Sequence, residues 1–236
     1  MIAAAGSGKR LGVSGPKALV ALGGRPLICW CLDAFADAES VARAVVAGPP
    51  GQEGELEAAI GAAGDGAGLQ LEVVAGADSR SRSVGAALER VDSELVAVHD
   101  AARPFVTATL VDQLVARLAS RPDAAGVIAA AALTDTVKRA REPRPARGER
   151  QRGGPTVAKT ESRDHLWAAQ TPQVFRTAAL REAHAADPQR LVAATDDAML
   201  VEKAGGKVLI HPWHAGNLKV TTPEDLRLAE LLLAER

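Results

Sequence analysis

Six short apolar runs punctuate the chain: "MIAAA", "ARAVVAG", "LQLEVVAG", "ELVAVHD", "GVIAAAAL" and "KVLIHPW". Each is too short for an ordinary helix and rich in Val, Ile, Leu or Ala, which predicts buried strands. Between them, apolar positions recur at helical spacing. Ile28, Cys31, Leu32 and Phe35 share one face, as do Val84, Ala87, Leu88 and Val91, and then Val111, Leu114, Val115 and Leu118. The last helix has a marked start, with Thr222 as N-cap, Pro223 at its first position, and Glu224 and Asp225 in its first turn. Strands alternating with helices predict an α/β, Rossmann-like architecture, a mostly parallel sheet with helices on both faces. The first strand is short because a glycine turn begins at Gly6. It is either a trimmed strand or one that starts upstream.

Residues 134–162 break the alternation. "TDTVKRA" and "PTVAKTE" read as two strands of a β-hairpin, with "REPRPARGERQRGG" between them. Glu142 and Glu149 interrupt the positive charge of the tip and no aromatic side chain interleaves it. A solvated hairpin tip is therefore expected rather than a nucleic-acid arm. No internal repeat is visible, so residues 1–236 are expected to form one domain with this arm inserted in it. The chain ends soon after the last helix, and no fused partner enzyme is expected on it.

Composition removes several classes of function. A formal net charge of -1 provides no global field toward nucleic acid or membrane. Aromatic residues make up 3% of the chain, with no Tyr, which argues against a base-stacking platform. A structural zinc normally needs four ligands, so Cys29-x-Cys31 alone is a poor candidate, and Cys31 sits on an apolar helix face as a core residue. His99, His165, His184, His211 and His214 show no metal-ligand spacing. No run approaches a membrane span and no signal-peptide pattern opens the chain, so a cytoplasmic location is expected.

The candidate chemistry begins at "AAAGSGKR". A P-loop requires Gly where Ala3 stands and a Ser or Thr where Arg10 stands. A dinucleotide fingerprint requires G-x-G-x-x-G, whereas Gly6, Gly8 and Gly12 are spaced one residue too long. The stretch "AAAGSGKRLGVSGPKALVALGGRPL" instead resembles the signature loop of nucleotidyltransferases. Its physics is local. Small residues at Ala4, Ala5, Gly6, Ser7 and Gly8 let backbone N–H groups approach a triphosphate. Arg10 and Lys17 add cations that balance charge on a transferring phosphoryl group. Gly23-Gly24 turns the chain, and Pro26 is expected to start the next helix.

Four further stretches, "VVAGADSRSRSV", "VHDAARP", "RDHLWAAQTPQVF" and "NLKVTTPEDL", extend the likeness along nearly the whole chain. Together they resemble the 2-C-methyl-D-erythritol 4-phosphate cytidylyltransferase family. The resemblance implies transfer of a cytidylyl group from CTP to methylerythritol phosphate with magnesium, in non-mevalonate isoprenoid synthesis. It places Ala77, Asp78 and Ser83 near the base, with Arg80 supporting the loop. The family more often has Gly where Ala77 stands. Ser83 is expected to start a helix. The resemblance also implies that Asp100 faces magnesium and substrate, that Arg103 binds phosphate, and that Lys219 is a second catalytic lysine beside Lys17, together with Arg10. It makes the hairpin the arm of a homodimer. Thr136, Arg163 and Thr171 would hold methylerythritol phosphate across the interface. Thr195 is a further substrate-side position and equally reads as the N-cap of a helix from Asp196. Competing readings are a ribitol 5-phosphate cytidylyltransferase, a sugar-1-phosphate or molybdopterin nucleotidyltransferase, and a catalytically silent nucleotide-binding dimer.

Overall fold

A computed structural model describes residues 1–12, 15–63, 69–141, 154–185, 191 and 193–235. The chain runs through β1 (Ile2–Ala3), the short strands β2 (Ala21–Leu22) and β3 (Arg25–Pro26), α1 (Leu27–Ala36), β4 (Arg43–Gly48), α2 (Glu53–Ala63) and β5 (Gln70–Ala75). It continues through α3 (Arg80–Leu88), β6 (Leu95–Asp100), α4 (Ala108–Ala119), β7 (Gly126–Ala132), β8 (Lys138–Arg141) and β9 (Thr156–Thr160). The last elements are β10 (Trp167–Arg176), α5 (Thr177–His184), α6 (Asp197–Lys203), β11 (Val208–Pro212) and α7 (Pro223–Ala234).

Seven strands form one sheet in the order β11-β7-β10-β6-β1-β4-β5. All neighbours are parallel except those of β10, which runs antiparallel between β6 and β7. The alternation of side chains on β4 shows how both faces are covered. Ala44 and Val46 point into a core with Ile28, Cys31, Leu32 and Phe35 of α1 and Leu56 and Ile60 of α2. Val45 and Ala47 point the other way, into a core with Val84, Ala87 and Leu88 of α3 and with α5 and α6. The expected helices on both faces are therefore present, and Cys31 is a fully buried core thiol.

All six expected strands lie in the sheet. The seventh, β10, was not legible as a strand because its middle reads Gln170-Thr171-Pro172-Gln173. Gln170, Thr171 and Gln173 are nonetheless buried, because each finds hydrogen-bond partners inside the protein. The ladder between β10 and β7 shifts register between Ala169 and Gln173, around a proline that has no N–H to donate.

Of two expected helix starts, one differs in detail. Pro26 closes β3 and occupies the N-cap of α1 rather than its first turn. Thr222 and Asp225 form a reciprocal capping box at the start of α7, with Pro223 at the first helical position, as expected. β8 and β9 pair antiparallel as a separate two-stranded sheet. Most of the Arg-rich tip, residues 142–153, lies outside the described residues.

Candidate active site

The chain leaves β1 toward β4 on one side, and β6 joins β1 on the other. In an open α/β sheet the crevice at such a switch point, beyond the carboxyl ends of the strands, is where ligands bind. Four segments converge there: the loop after β1, the β5–α3 turn, the end of β6, and the stretch before α7. They enclose a cleft of about 700 Å³. Every residue expected for catalysis or nucleotide binding lines it, as does Asp100. Lys9 and Thr221 also line it, without having been expected.

The walls are built by close backbone approach. Gly8 has φ 64, a left-handed conformation that favours glycine, and it starts the 3-10 turn Lys9–Leu11. The Lys17 N–H donates to the Gly6 carbonyl at 2.8 Å, which folds the second cation back over the loop. At the end of β5, a Cβ on Gly76 would stand 2.7 Å from the Gly48 carbonyl oxygen and 3.0 Å from Ala5 Cβ. Glycine is therefore required where β5 passes the first loop. Ala77 needs no such freedom, since no described non-glycine residue has positive φ.

Ser83 departs from expectation. Helix α3 begins at Arg80 under the cap Ser79, and Ser83 lies one turn inside it. Its hydroxyl accepts from the Ala77 N–H at 2.9 Å and donates to the Ser79 carbonyl at 2.8 Å. Ser83 thus braces the β5–α3 turn from beneath. Asp78 is the open group of that turn, and its carboxylate pairs with Arg82 at 2.7 Å.

The electrostatics centre on one carboxylate among cations. Lys219 Nζ sits 2.6 Å from Asp100 Oδ2, and Arg80 Nε sits 2.9 Å from Oδ1. Burial alone would raise the Asp100 carboxyl, but Arg80 and Lys219 hold it well below the usual carboxylate range. Lys17 is pushed down from 10.5 to about 8, by burial first and then by the charges of Lys219 and Arg10. The cleft therefore carries excess positive charge that an anionic ligand would relieve.

Apart from Asp100, the expected substrate-side residues, Arg103, Thr136, Arg163, Thr171 and Thr195, fall outside these walls. Thr171 is 4% exposed and its hydroxyl is already engaged. Burial holds His99 down at about 3, so its ring is neutral near pH 7. His99 Nε2 faces the Arg103 carbonyl at 3.2 Å and must carry the proton, which leaves Nδ1 as acceptor. The Thr171 hydroxyl donates to Nδ1 at 3.1 Å and accepts from the Asp100 N–H at 3.0 Å. Thr171 therefore acts from behind Asp100, not as a wall of the cleft. Arg103 donates to the Asn217 carbonyl at 2.7 Å. Asp196, not Thr195, caps α6 by accepting from the Met199 N–H at 2.9 Å. Thr195 is exposed. Thr136 and Arg163 are exposed beside the β8–β9 pair, and an Arg163 guanidinium nitrogen donates to the Thr134 carbonyl.

Sequence reasoning missed three residues. Gly76 ends a strand, and a strand-end glycine was the available signal. Asn217 is fully buried and donates to the Thr171 carbonyl at 2.8 Å. Asp197 is fully buried and pairs with Arg80 Nη1 at 2.6 Å. Both stand in stretches of polar sequence that read as surface.

A divalent cation of the magnesium type takes one or two carboxylates and completes its shell with phosphate oxygens and water. Asp100, which lines the cleft with its Oδ2 paired to Lys219, fits the protein's share of such a shell. No group of three His, Cys, Asp or Glu side chains able to hold a metal exists among the described residues.

A glycine-rich loop, the paired carboxylate of Asp100 and a surplus of cations suit phosphoryl-group chemistry on a nucleotide, and the class is that of the nucleotidyltransferases. The comparisons narrow it. The family model for IspD, 2-C-methyl-D-erythritol 4-phosphate cytidylyltransferase, matches residues 1–235. A 2-C-methyl-D-erythritol 4-phosphate cytidylyltransferase of Streptomyces coelicolor is 42% identical over 238 residues, 100% of this chain and 84% of that protein. A bifunctional enzyme IspD/IspF of Anaeromyxobacter dehalogenans is 42% identical over 233 residues, and the alignment takes in 99% of this chain but only 56% of that protein's length. The crystal structure of the Thermus thermophilus cytidylyltransferase is 34% identical with a TM-score of 0.70, and the match covers 99% of this chain and 97% of that one. The chain belongs to the 2-C-methyl-D-erythritol 4-phosphate cytidylyltransferase family.

Proposed function

We propose that the protein transfers the cytidylyl group of CTP to the phosphate of 2-C-methyl-D-erythritol 4-phosphate, forming 4-diphosphocytidyl-2-C-methyl-D-erythritol and pyrophosphate. The observation that carries this reading is the gathering of Arg10, Lys17, Lys219 and Asp100 around the glycine loop at the switch point. A phosphate oxygen of the acceptor attacks the α-phosphorus, and the bond to the leaving pyrophosphate breaks in line. The nucleophile is already an anion, so catalysis rests on positioning and charge stabilisation rather than on a strong base.

Backbone N–H groups of Ala4 to Gly8 cradle the triphosphate. Arg10, Lys17 and Lys219 offset charge that builds at the α-phosphoryl group. The Ala77–Asp78 turn, braced by Ser83, reads the base, and the Asp78 carboxylate is a suitable acceptor for the amino group of cytosine. Asp100 is the residue that would hold a divalent cation, whose chemistry is to neutralise phosphate charge.

Thr136 and Arg163 stand outside the cleft of their own chain. A homodimer in which the β8–β9 arm reaches the neighbouring cleft would bring them to the acceptor phosphate. The 65% exposure of Val157 on β9 supports an apolar contact for that arm. Among the described residues no helix is long and apolar enough to cross a membrane, and both substrates are water-soluble phosphates, which suits a cytoplasmic enzyme.

Pyrophosphate release is the test, with magnesium, methylerythritol phosphate and each of the four ribonucleoside triphosphates in turn. Release with CTP alone is expected. Release only once ribitol 5-phosphate replaces methylerythritol phosphate would overturn the substrate assignment. Silence with every combination from a folded dimer would overturn the enzymatic one.

A further inference from the structure

We propose that Asp197 is a positioning residue: by holding one nitrogen of Arg80, it fixes the guanidinium that orients the Asp100 carboxylate beside Lys219. The inference rests on the cytidylyltransferase reading and goes beyond it to a residue that touches neither substrate.

Asp197 is the first residue of α6 and is 0% exposed. Its Oδ2 lies 2.6 Å from Arg80 Nη1, and its Oδ1 lies 3.2 Å from Nε2 of His184 on α5. Taking such charges out of water costs several kcal/mol per ion, and apolar residues in place of a buried pair are often as stable or more so. Stability therefore does not explain the pair.

Geometry does. A guanidinium beside a lone carboxylate is drawn into two parallel hydrogen bonds that occupy both oxygens. Arg80 instead bridges two carboxylates: Asp197 takes Nη1, Asp100 takes Nε, and Nη2, the nitrogen that would join Nε in a parallel fork, is buried without a hydrogen-bond partner. Only Nε reaches Asp100, on Oδ1 at 2.9 Å. Oδ2 is left to Lys219 at 2.6 Å, and both residues line the cleft.

The start of α6 is itself fixed. Gln173 of β10 donates to Asp196 Oδ2 at 2.9 Å and accepts from the Ala198 N–H at 3.2 Å. The polar middle of β10 thus sets Asp197, Asp197 sets Arg80, and Arg80 sets the rotation of the Asp100 carboxylate.

The test is Asp197→Asn, which keeps shape and removes the charge that competes for Arg80. Carboxylates and other groups that orient a metal ligand typically change affinity by about 10–100-fold when lost. The variant should need about tenfold more magnesium for half-maximal turnover. In calorimetric titration, CTP should bind about tenfold more weakly in the presence of magnesium and with unchanged affinity in its absence. In an Arg80→Met background, Asp197→Asn should add nothing further. An unchanged magnesium requirement, an equal loss of CTP affinity with and without magnesium, or an effect that persists without Arg80 would each overturn the proposal. If Asp197→Asn does not fold, Arg80→Lys carries the same test, since one ammonium cannot span both carboxylates. An unaltered magnesium requirement in that variant is equally fatal. Wild-type turnover tests the underlying reading separately, and the calorimetric comparison needs no turnover, so the two failures are told apart.

Discussion

Replacing Lys17 by Met should move activity and stability in opposite directions. The ammonium of Lys17 is brought down from 10.5 to about 8 by its partial burial and by its cationic neighbours. At about 1.4 kcal/mol per pH unit, a fully sheltered charge with that displacement would cost the folded state about 3 kcal/mol. Lys17 is only half-buried, so screening reduces the figure to about 1–2 kcal/mol. For a chain of this size the gain on removing the charge is about 3–6 °C in Tm near pH 7. The sign has a pH signature. From about pH 8 to 10.5 the folded wild type sheds this proton while the unfolded chain keeps it. The unfolded state then binds more protons, and wild-type stability rises with pH relative to the variant. The Tm gap should therefore close as pH rises through this window. Turnover of the variant should fall about a hundredfold, the usual loss for one preorganised donor. Paired thermal unfolding across that pH range, with pyrophosphate release on the same samples, measures both. A variant that melts at or below wild type near pH 7, or a gap that does not narrow, would refute the reasoning. It would mean that Lys17 is not held at a cost for the sake of its ligand.

Thr171→Val removes a hydroxyl that serves the Asp100 N–H and His99 Nδ1 together. It should cost about 2–5 kcal/mol, because two buried polar groups lose their partners; an unchanged Tm in thermal unfolding would contradict the relay. Gly76→Ala places a methyl against the Gly48 carbonyl oxygen at 2.7 Å, where backbone must move. It should destabilise by about 1–3 kcal/mol and weaken CTP binding, since the Ala77–Asp78 turn moves with it. Wild-type CTP affinity by calorimetry would show that the turn does not depend on that close approach.

What was legible in the sequence follows from which interactions are local. The glycine loop announces itself because small residues, two cations and a Pro-Lys fall within one short stretch, and of these only Pro16 does not line the cleft. The strands of β4 and β6 and the faces of α1, α3 and α4 are legible because apolar periodicity is a property of neighbours along the chain. β10 and Asp197 are different. Gln170, Thr171, Gln173 and Asp197 carry side chains that read as solvent-facing, and each is buried only because a partner far along the chain meets it. Arg80 and Asp197 are 117 residues apart, and Thr171 and Asp100 are 71 apart. No window over the sequence contains both members of such a pair. The groups proposed to touch phosphate, Lys219 apart, are therefore written locally, in the loop after β1. The groups that aim Asp100 are written across β10, α3 and α6, and they become visible only when the sheet brings those elements together. A substitution in the second set should thus be harder to judge from sequence than one in the first, although Asp100 depends on both.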